Sequence, residues 1–168
     1  MTKPILLNNV NVNLLSYKLD KPIGGSGVSA VDILMVEIRD SEGVLGLGFS
    51  YVIGGNGAPL LPITEDLADR FLRNQPLLSA EANWRTINSS FNRTGRGWNL
   101  LALAAIDVAL WDIHAKRAGQ SLGVFMGGQE RATPVYDSGP FQPGMDPSEA
   151  TEIALASIEF GYTGVKPR

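Results

Sequence analysis

The sequence predicts an α+β unit, an antiparallel three-stranded sheet backed by helices, that gives way after Gly128 to the opening of a parallel α/β arrangement. Three observations predict it. The first third carries strand-like runs separated by turn residues. The middle third carries one long apolar helical signal, from Asn99 to Arg117. After Gly128 a strong helix start, Asp146-Pro-Ser-Glu149, lies between two short strand-like runs.

The strand-like third opens at Ile5–Tyr17, where Val10, Val12 and Leu14 alternate and so fall on one face. Leu19–Gly27 is a glycine-rich loop. Ile33–Ile38 and Val44–Tyr51 are two further strands around the turn residues Arg39-Asp-Ser-Glu-Gly43, which is the pattern of a hairpin. Gly46 and Gly48 share a face of the third strand, so another backbone is expected close to it. Gly54–Gly57 is a second glycine loop.

In the helical third, Thr64 is placed to cap a helix whose first turn carries Glu65 and Asp66, where acids suit the positive helix end. Ser79 is placed to cap a second helix through Trp84 and Ile87. From Asn99 onward, apolar side chains cover nearly the whole circumference, which predicts a helix buried on most sides. Gly119 is its stop. The last section begins with the strand-like run Thr133–Ser138. Asp146 then caps a helix, Pro147 takes its first position and Glu149 the capping-box place. Gly161 ends that helix, and Gly164–Arg168 is a new strand. Strand, helix, strand is a parallel unit.

Composition bounds the function. At 168 residues the chain can bury a core and make one domain or somewhat more. A hydrophobic share of 44% with 18% charged residues is that of a folded chain. The net charge of −3, with no basic run, gives no case for nucleic acid. The absence of cysteine excludes disulfides and thiolate metal sites. The N-terminus has too short an apolar run for a signal peptide, and no apolar stretch is expected to reach the ~18 residues of a membrane helix. A cytoplasmic protein with no membrane partner is the expectation.

Lys166 and Arg168 are the candidate catalytic residues. Two apart on a strand, they face one side, and a pair of fixed cations suits an anionic substrate or a developing enolate. Taken alone, two cations near a terminus read as a solvated end. His114, the single histidine, reads as a structural hydrogen bonder within its helix. Asp107 and Asp112 stand about 140° apart around the helix axis, too far for a shared metal. Arg93 and Arg96, around Gly95, read as a solvated loop, with packing across a dimer interface as the alternative that the sequence does not argue.

The order of elements resembles the enolase superfamily, in particular its mandelate racemase/muconate lactonizing enzyme branch. Three places carry the resemblance. The run Ala104–Leu122 (AAIDVALWDIHAKRAGQSL) with Met126-Gly-Gly128 is similar to the last helix of the family's capping domain and its exit. Val135-Tyr-Asp-Ser138 is similar to the first barrel strand. Val165-Lys-Pro-Arg168 stands where the family has Lys-x-Lys, at the end of the second. The resemblance implies an α+β capping domain over residues 1–128 and the first βαβ portion of a (β/α) barrel over residues 129–168.

A barrel needs about 250 residues, whereas 40 follow Gly128. The resemblance therefore implies the N-terminal part of an enzyme that is inactive by itself. The acidic Mg²⁺ ligands and the opposite-face base would lie on later strands, and no metal ligand is expected within this chain. The implied chemistry is abstraction of the proton α to a carboxylate, with a small carboxylate or sugar acid as substrate. Lys166 would hold the carboxylate or enolate oxygen. Arg168 takes the place of the usual lysine acid/base, and arginine keeps its proton at any working pH. It clamps an oxyanion but makes a poor base, which favours one-sided abstraction and β-elimination: acid-sugar dehydration. The alternatives are a racemase, epimerase or cycloisomerase of the same superfamily, and a non-catalytic fragment or isolated capping or assembly domain. Leu19–Ser29 and Tyr51–Gly57 match the family's specificity loops, whose glycines permit opening and closing. Tyr51 and Ser138 are the candidate substrate-binding residues. Unpaired strand edges after Gly128 predict association, and a homo-oligomer is expected.

Overall fold

The computed structural model describes residues 3–23, 27–138 and 141–167, without the side chains of residues 21 and 23. Three strands, β1 (Leu7–Ile23), β2 (Val28–Asp40) and β3 (Leu45–Ile53), form one sheet in the order β1-β2-β3. Five α-helices follow among the described residues: α1 (Leu60–Phe71), α2 (Ala80–Ser89), α3 (Gly97–Arg117), α4 (Leu122–Phe125) and α5 (Pro147–Phe160), with a 3-10 turn at Ser90–Asn92 after α2. The chain divides into two compact units. One comprises Met1–Lys18 with Ala30–Gln129, the other Leu19–Ser29 with Glu130–Arg168.

In the first unit the hairpin is regular. Met35 pairs with Phe49 and Arg39 with Leu45, with no slip between Val31–Ile53 and that end. Asp40 closes the turn, because its Oδ1 accepts the N–H groups of Glu42 and Val44, each at 2.9 Å. Parity then sends Leu34, Val36 and Ile38 inward, where they are fully buried. Val10 and Val12 join them from β1, as their alternation predicts. The strands are longer than the sequence suggests. β1 runs on through Ile23, so much of the expected Leu19–Gly27 loop is strand, and β2 begins at Val28.

Gly46 and Gly48 meet the expectation of a close neighbour. A Cβ on Gly48 would overlap Ala105 O and Ala109 N, and one on Gly46 would overlap Ala109 O and the Ile113 Cβ. Backbone thus packs on backbone where β3 crosses α3. The inner side of α3 supplies Leu103, Ile106, Leu110 and Ile113 to the core. Burial on most sides holds, except for an exposed stripe at Leu100, Ala104 and Val108, four residues apart. By length and composition α3 is apolar enough to cross a membrane, with a mean hydropathy of 1.2 over 18 residues. This corrects the expectation that no apolar stretch is long enough: Asp107 and Asp112 lie within the run without lowering its mean hydropathy below that of a spanning helix. Eight of its residues nevertheless lie in the core. Gly119, at φ +67°, ends the helix as expected.

Thr64 does not cap α1. The helix starts a turn earlier, at Leu60, and the Thr64 hydroxyl is buried and donates to Leu60 O at 2.7 Å. Fully buried Leu60 draws the start forward. Glu65 and Asp66 therefore serve ion pairs with Arg73 and Arg70 and not the helix end. Ser79 does cap α2, accepting from Ala82 N at 3.2 Å.

The outer edge of β3 is partly occupied. Leu47 N–H donates to Asp112 Oδ2 at 2.7 Å, and Lys116 Nζ donates to Leu45 O at 2.9 Å. In an antiparallel pair, alternate residues turn both backbone groups the same way. The odd-numbered residues of β3 therefore face this edge.

In the second unit, α5 starts and stops as the sequence predicts. Asp146 accepts from Ser148 N at 2.8 Å, Pro147 holds the first turn, and Gly161 ends the helix at φ +109°. The flanking strands are reduced. Among the described residues of the runs Thr133–Ser138 and Gly164–Arg168, a single parallel bridge forms, between Asp137 and Val165. The parallel sense is as expected, but residues 130–136 are exposed, and no ladder pairs them among the described residues.

Candidate functional site

The parallel bridge positions the candidate residues of the second unit. Asp137 N donates to Gly164 O at 2.9 Å, and Lys166 N donates to Asp137 O at 2.8 Å. Thr163 adds its N–H and its hydroxyl to Val135 O. The Ser157 hydroxyl of α5 lies 2.8 Å from Asp137 Oδ2 and 2.9 Å from Ile153 O, so Asp137 faces the helix. Its bridge partner Val165 shares that face. The next residue on each strand turns to the other side. Ser138 and Lys166 thus share the face opposite α5, each one step past the bridge. The Lys166 side chain is exposed.

Arg168 lies outside the described residues. Tyr51 belongs to the first unit and stands 55% exposed on the outer face of β3, beside Phe49 and Ile53. His114 is structural, as expected: its Nε2 lies 2.9 Å from Leu78 O. Asp112 is committed to Leu47 N and Lys116. Asp107 is pushed above the ordinary carboxylate range by burial, and then by the nearby charge of Glu81. Among the described residues no group of three or more His, Asp or Glu side chains could hold a metal ion. The described residues therefore do not fit a Mg²⁺ centre.

The glycine loop Gly54–Gly57 is less free than its composition suggests. Gly54 N donates to Ala30 O at 3.0 Å, and Gly57 N donates to Asp32 Oδ2 at 2.7 Å. Asp32 is 4% exposed and its Oδ1 accepts the Ser16 hydroxyl at 2.5 Å. The bond from Ser16, and then that from Gly57, hold its carboxyl below the ordinary range. Sequence reasoning passed over this residue. The available signal was a lone acid in Val31-Asp-Ile-Leu34, with the inward parity of Leu34, Val36 and Ile38.

Comparison with known proteins places this geometry. Residues 18–127 match the family model of the mandelate racemase / muconate lactonizing enzyme, N-terminal domain. A 3,6-anhydro-alpha-L-galactonate cycloisomerase of Streptomyces coelicolor is 33% identical over 114 residues, covering 64% of this chain and 30% of that protein. An L-talarate/galactarate dehydratase of Salmonella typhimurium is 32% identical over 145 residues, covering 83% of this chain and 35% of that protein. The solved L-talarate dehydratase from Polaromonas sp. JS666, complexed with Mg and L-glucarate, superposes with a TM-score of 0.88 at 27% identity. That match covers 96% of this chain and 45% of the other. The chain thus spans about a third of the length of the curated relatives it matches, 30% and 35%. Its fold is that of an α+β capping domain followed by the start of a (β/α) barrel.

Proposed function

Because the chain belongs to the mandelate racemase/muconate lactonizing enzyme family of the enolase superfamily, we propose that it is the N-terminal part of a Mg²⁺-dependent acid-sugar dehydratase. One observation carries this: Lys166 stands exposed one residue past the parallel bridge of Asp137 with Val165, on the face that alternation gives it with Ser138. In barrels the C-terminal end of the strands is where chemistry is done. Mg²⁺ would supply charge stabilisation at the substrate carboxylate, held by acids outside the described residues.

The residues of this chain have narrower tasks. Lys166 offers a compact cation to the carboxylate, where negative charge grows as the α-proton leaves. Ser138 offers a hydroxyl to a substrate hydroxyl from the same face. Arg168 keeps its proton and clamps an oxyanion, so it leaves deprotonation to a base elsewhere. Abstraction from one side, with departure of the β-hydroxyl as water after protonation, yields an enol that relaxes to a 2-keto-3-deoxy acid. Names of relatives support the class: among them are dehydratases for L-talarate/galactarate and arabinonate.

A second reading, cycloisomerisation, is supported by the names of two other relatives. It rearranges its substrate without losing water. The two separate on one assay. The longest reading frame containing this chain is incubated with Mg²⁺ and a panel of aldonic and aldaric acids together with their lactones and anhydro forms, then scored for 2-keto-3-deoxy acid and for loss of 18 mass units. Dehydration is expected, with Lys166→Ala lowering kcat by about 100-fold or more. Product of unchanged mass would favour the cycloisomerase. Equal α-proton exchange from both enantiomers would sink the role given to Arg168.

A further inference from the structure

The Gly54–Gly57 segment carries one side chain, that of Asn56, because its other three residues are glycine. Both ends of the segment are tied to β2, one by a peptide carbonyl and the other by a carboxylate. We propose that Asp32 is a positioning residue that latches this loop through Gly57, so that Asn56 is presented in one fixed geometry to a polar ligand. The ligand class, a polyhydroxylated acid, rests on the proposed function. The latch itself rests on the geometry alone.

Three features separate a latch from ordinary packing. First, Asp32 sits on the inward face of β2, between apolar neighbours, where a carboxylate is costly to bury without donors. No salt bridge reaches it among the described residues, and its charge is met by two donors, Ser16 Oγ and Gly57 N. Second, those donors come from different places, β1 and the loop after β3, so one side chain ties both to β2. Third, the fit excludes other residues at the loop end. A Cβ on Gly57 would stand 2.5 Å from the Asp32 Cβ and 3.0 Å from its Oδ2, so the backbone approaches the carboxylate as closely as only glycine permits. Gly57 is buried while Gly54, Gly55 and Asn56 are exposed. The free span between the two anchors is therefore Gly55–Asn56, and opening the loop further means breaking the bond to Asp32. Asn56 has both a donor and an acceptor, which suits a substrate hydroxyl.

The test reads the latch without relying on activity. Amide hydrogen exchange in this chain is compared at Gly57 and at Leu34 and Ala105 in the core, for Asp32→Ala, Asp32→Asn and Ser16→Ala. Asp32→Ala is expected to speed exchange at Gly57 by roughly tenfold or more relative to the core amides. Asp32→Asn keeps an oxygen for Gly57 N and is expected to stay within about threefold of the parent chain. Acceleration of all three amides alike would reduce Asp32 to a packing residue and overturn the latch. Should Asp32→Ala not fold, Ser16→Ala decides. It removes one anchor of the carboxylate, and selective acceleration at Gly57 supports the latch where its absence overturns it.

In the longer enzyme, Asp32→Ala and Asn56→Ala are expected to raise KM for the acid sugar by about tenfold, with kcat within about threefold. Asp32→Asn is expected to restore KM. A fall in kcat with KM unchanged would overturn the assignment of Asn56 to binding. An inactive parent enzyme would count against the proposed function and leave the exchange result standing.

Discussion

The seam between β3 and α3 and the short ladder beside α5 are both contacts of strand with helix, yet they are closed by opposite means. On β3, Gly46 and Gly48 remove side chains altogether and the backbone rests on Ala105 and Ala109. Nothing in that contact can rotate to absorb a change. Beside α5, the Ser157 hydroxyl bridges to Asp137, while Leu155, Ile158 and Phe160 stand more than half exposed. A polar pin of that kind has rotamers to spare. The first contact derives its specificity from shape and the second from hydrogen bonding, and the two should fail differently.

Gly48→Ala attacks the tighter contact. The added methyl meets backbone of α3, which can yield only by moving the helix, so a loss of about 3 kcal/mol is expected. A urea melt followed by Trp fluorescence checks it. A loss below about 1 kcal/mol would show that the seam is as adaptable as the ladder.

A smaller effect is expected from Asp40→Ala. The Asp40 side chain is fully buried and joins Arg117 at 2.6 Å, besides holding the turn. Removing it strands two N–H groups and takes one of two carboxylate partners from Arg117, at about 2 kcal/mol. Arg117 keeps Glu42 as a partner, which limits the damage.

The smallest effect belongs to the second unit. The Ser148 hydroxyl, and then its N–H, hold the Asp146 carboxyl below its ordinary value of 3.8. A depressed carboxyl stabilises the fold above its unfolded pKa, and that contribution disappears as pH falls through the folded one. α5 is therefore expected to lose helicity below pH 3.8. The N-terminus of α3 carries no side-chain cap, so this source of acid sensitivity is absent there. Residue-resolved exchange across an acid titration would tell them apart, and simultaneous loss of both helices would erase the distinction.

The legibility of these elements in the sequence follows the same division. Signals written in backbone geometry were readable: Gly46 and Gly48 announced a close neighbour, Gly119 and Gly161 announced helix ends, and Asp146-Pro announced a helix start. Signals that depend on tertiary burial were not. Thr64 looks like a cap, but Leu60 needs the core more than the helix needs Thr64. The strand-like run Thr133–Ser138 has the right residues, yet pairing depends on what lies beside it, and one bridge forms. At the candidate site, the shared face of Ser138 and Lys166 depends on a register that no single strand records. Asp32 was hidden because its partners, Ser16 and Gly57, are distant in sequence and carry no chemical signature of their own.

Asp112 and Lys116 carry a consequence for self-association. An unprotected strand margin is a template for cross-β growth. Here a helix-borne acid and base occupy Leu47 N–H and Leu45 C=O, much as gatekeeper charges flank an aggregation-prone stretch. Templating along the Leu45–Leu47 end of β3 is thereby blocked. Because half of this guard is an ion pair with an exposed lysine, high salt loosens it, and fibril nucleation from this margin should quicken as ionic strength rises.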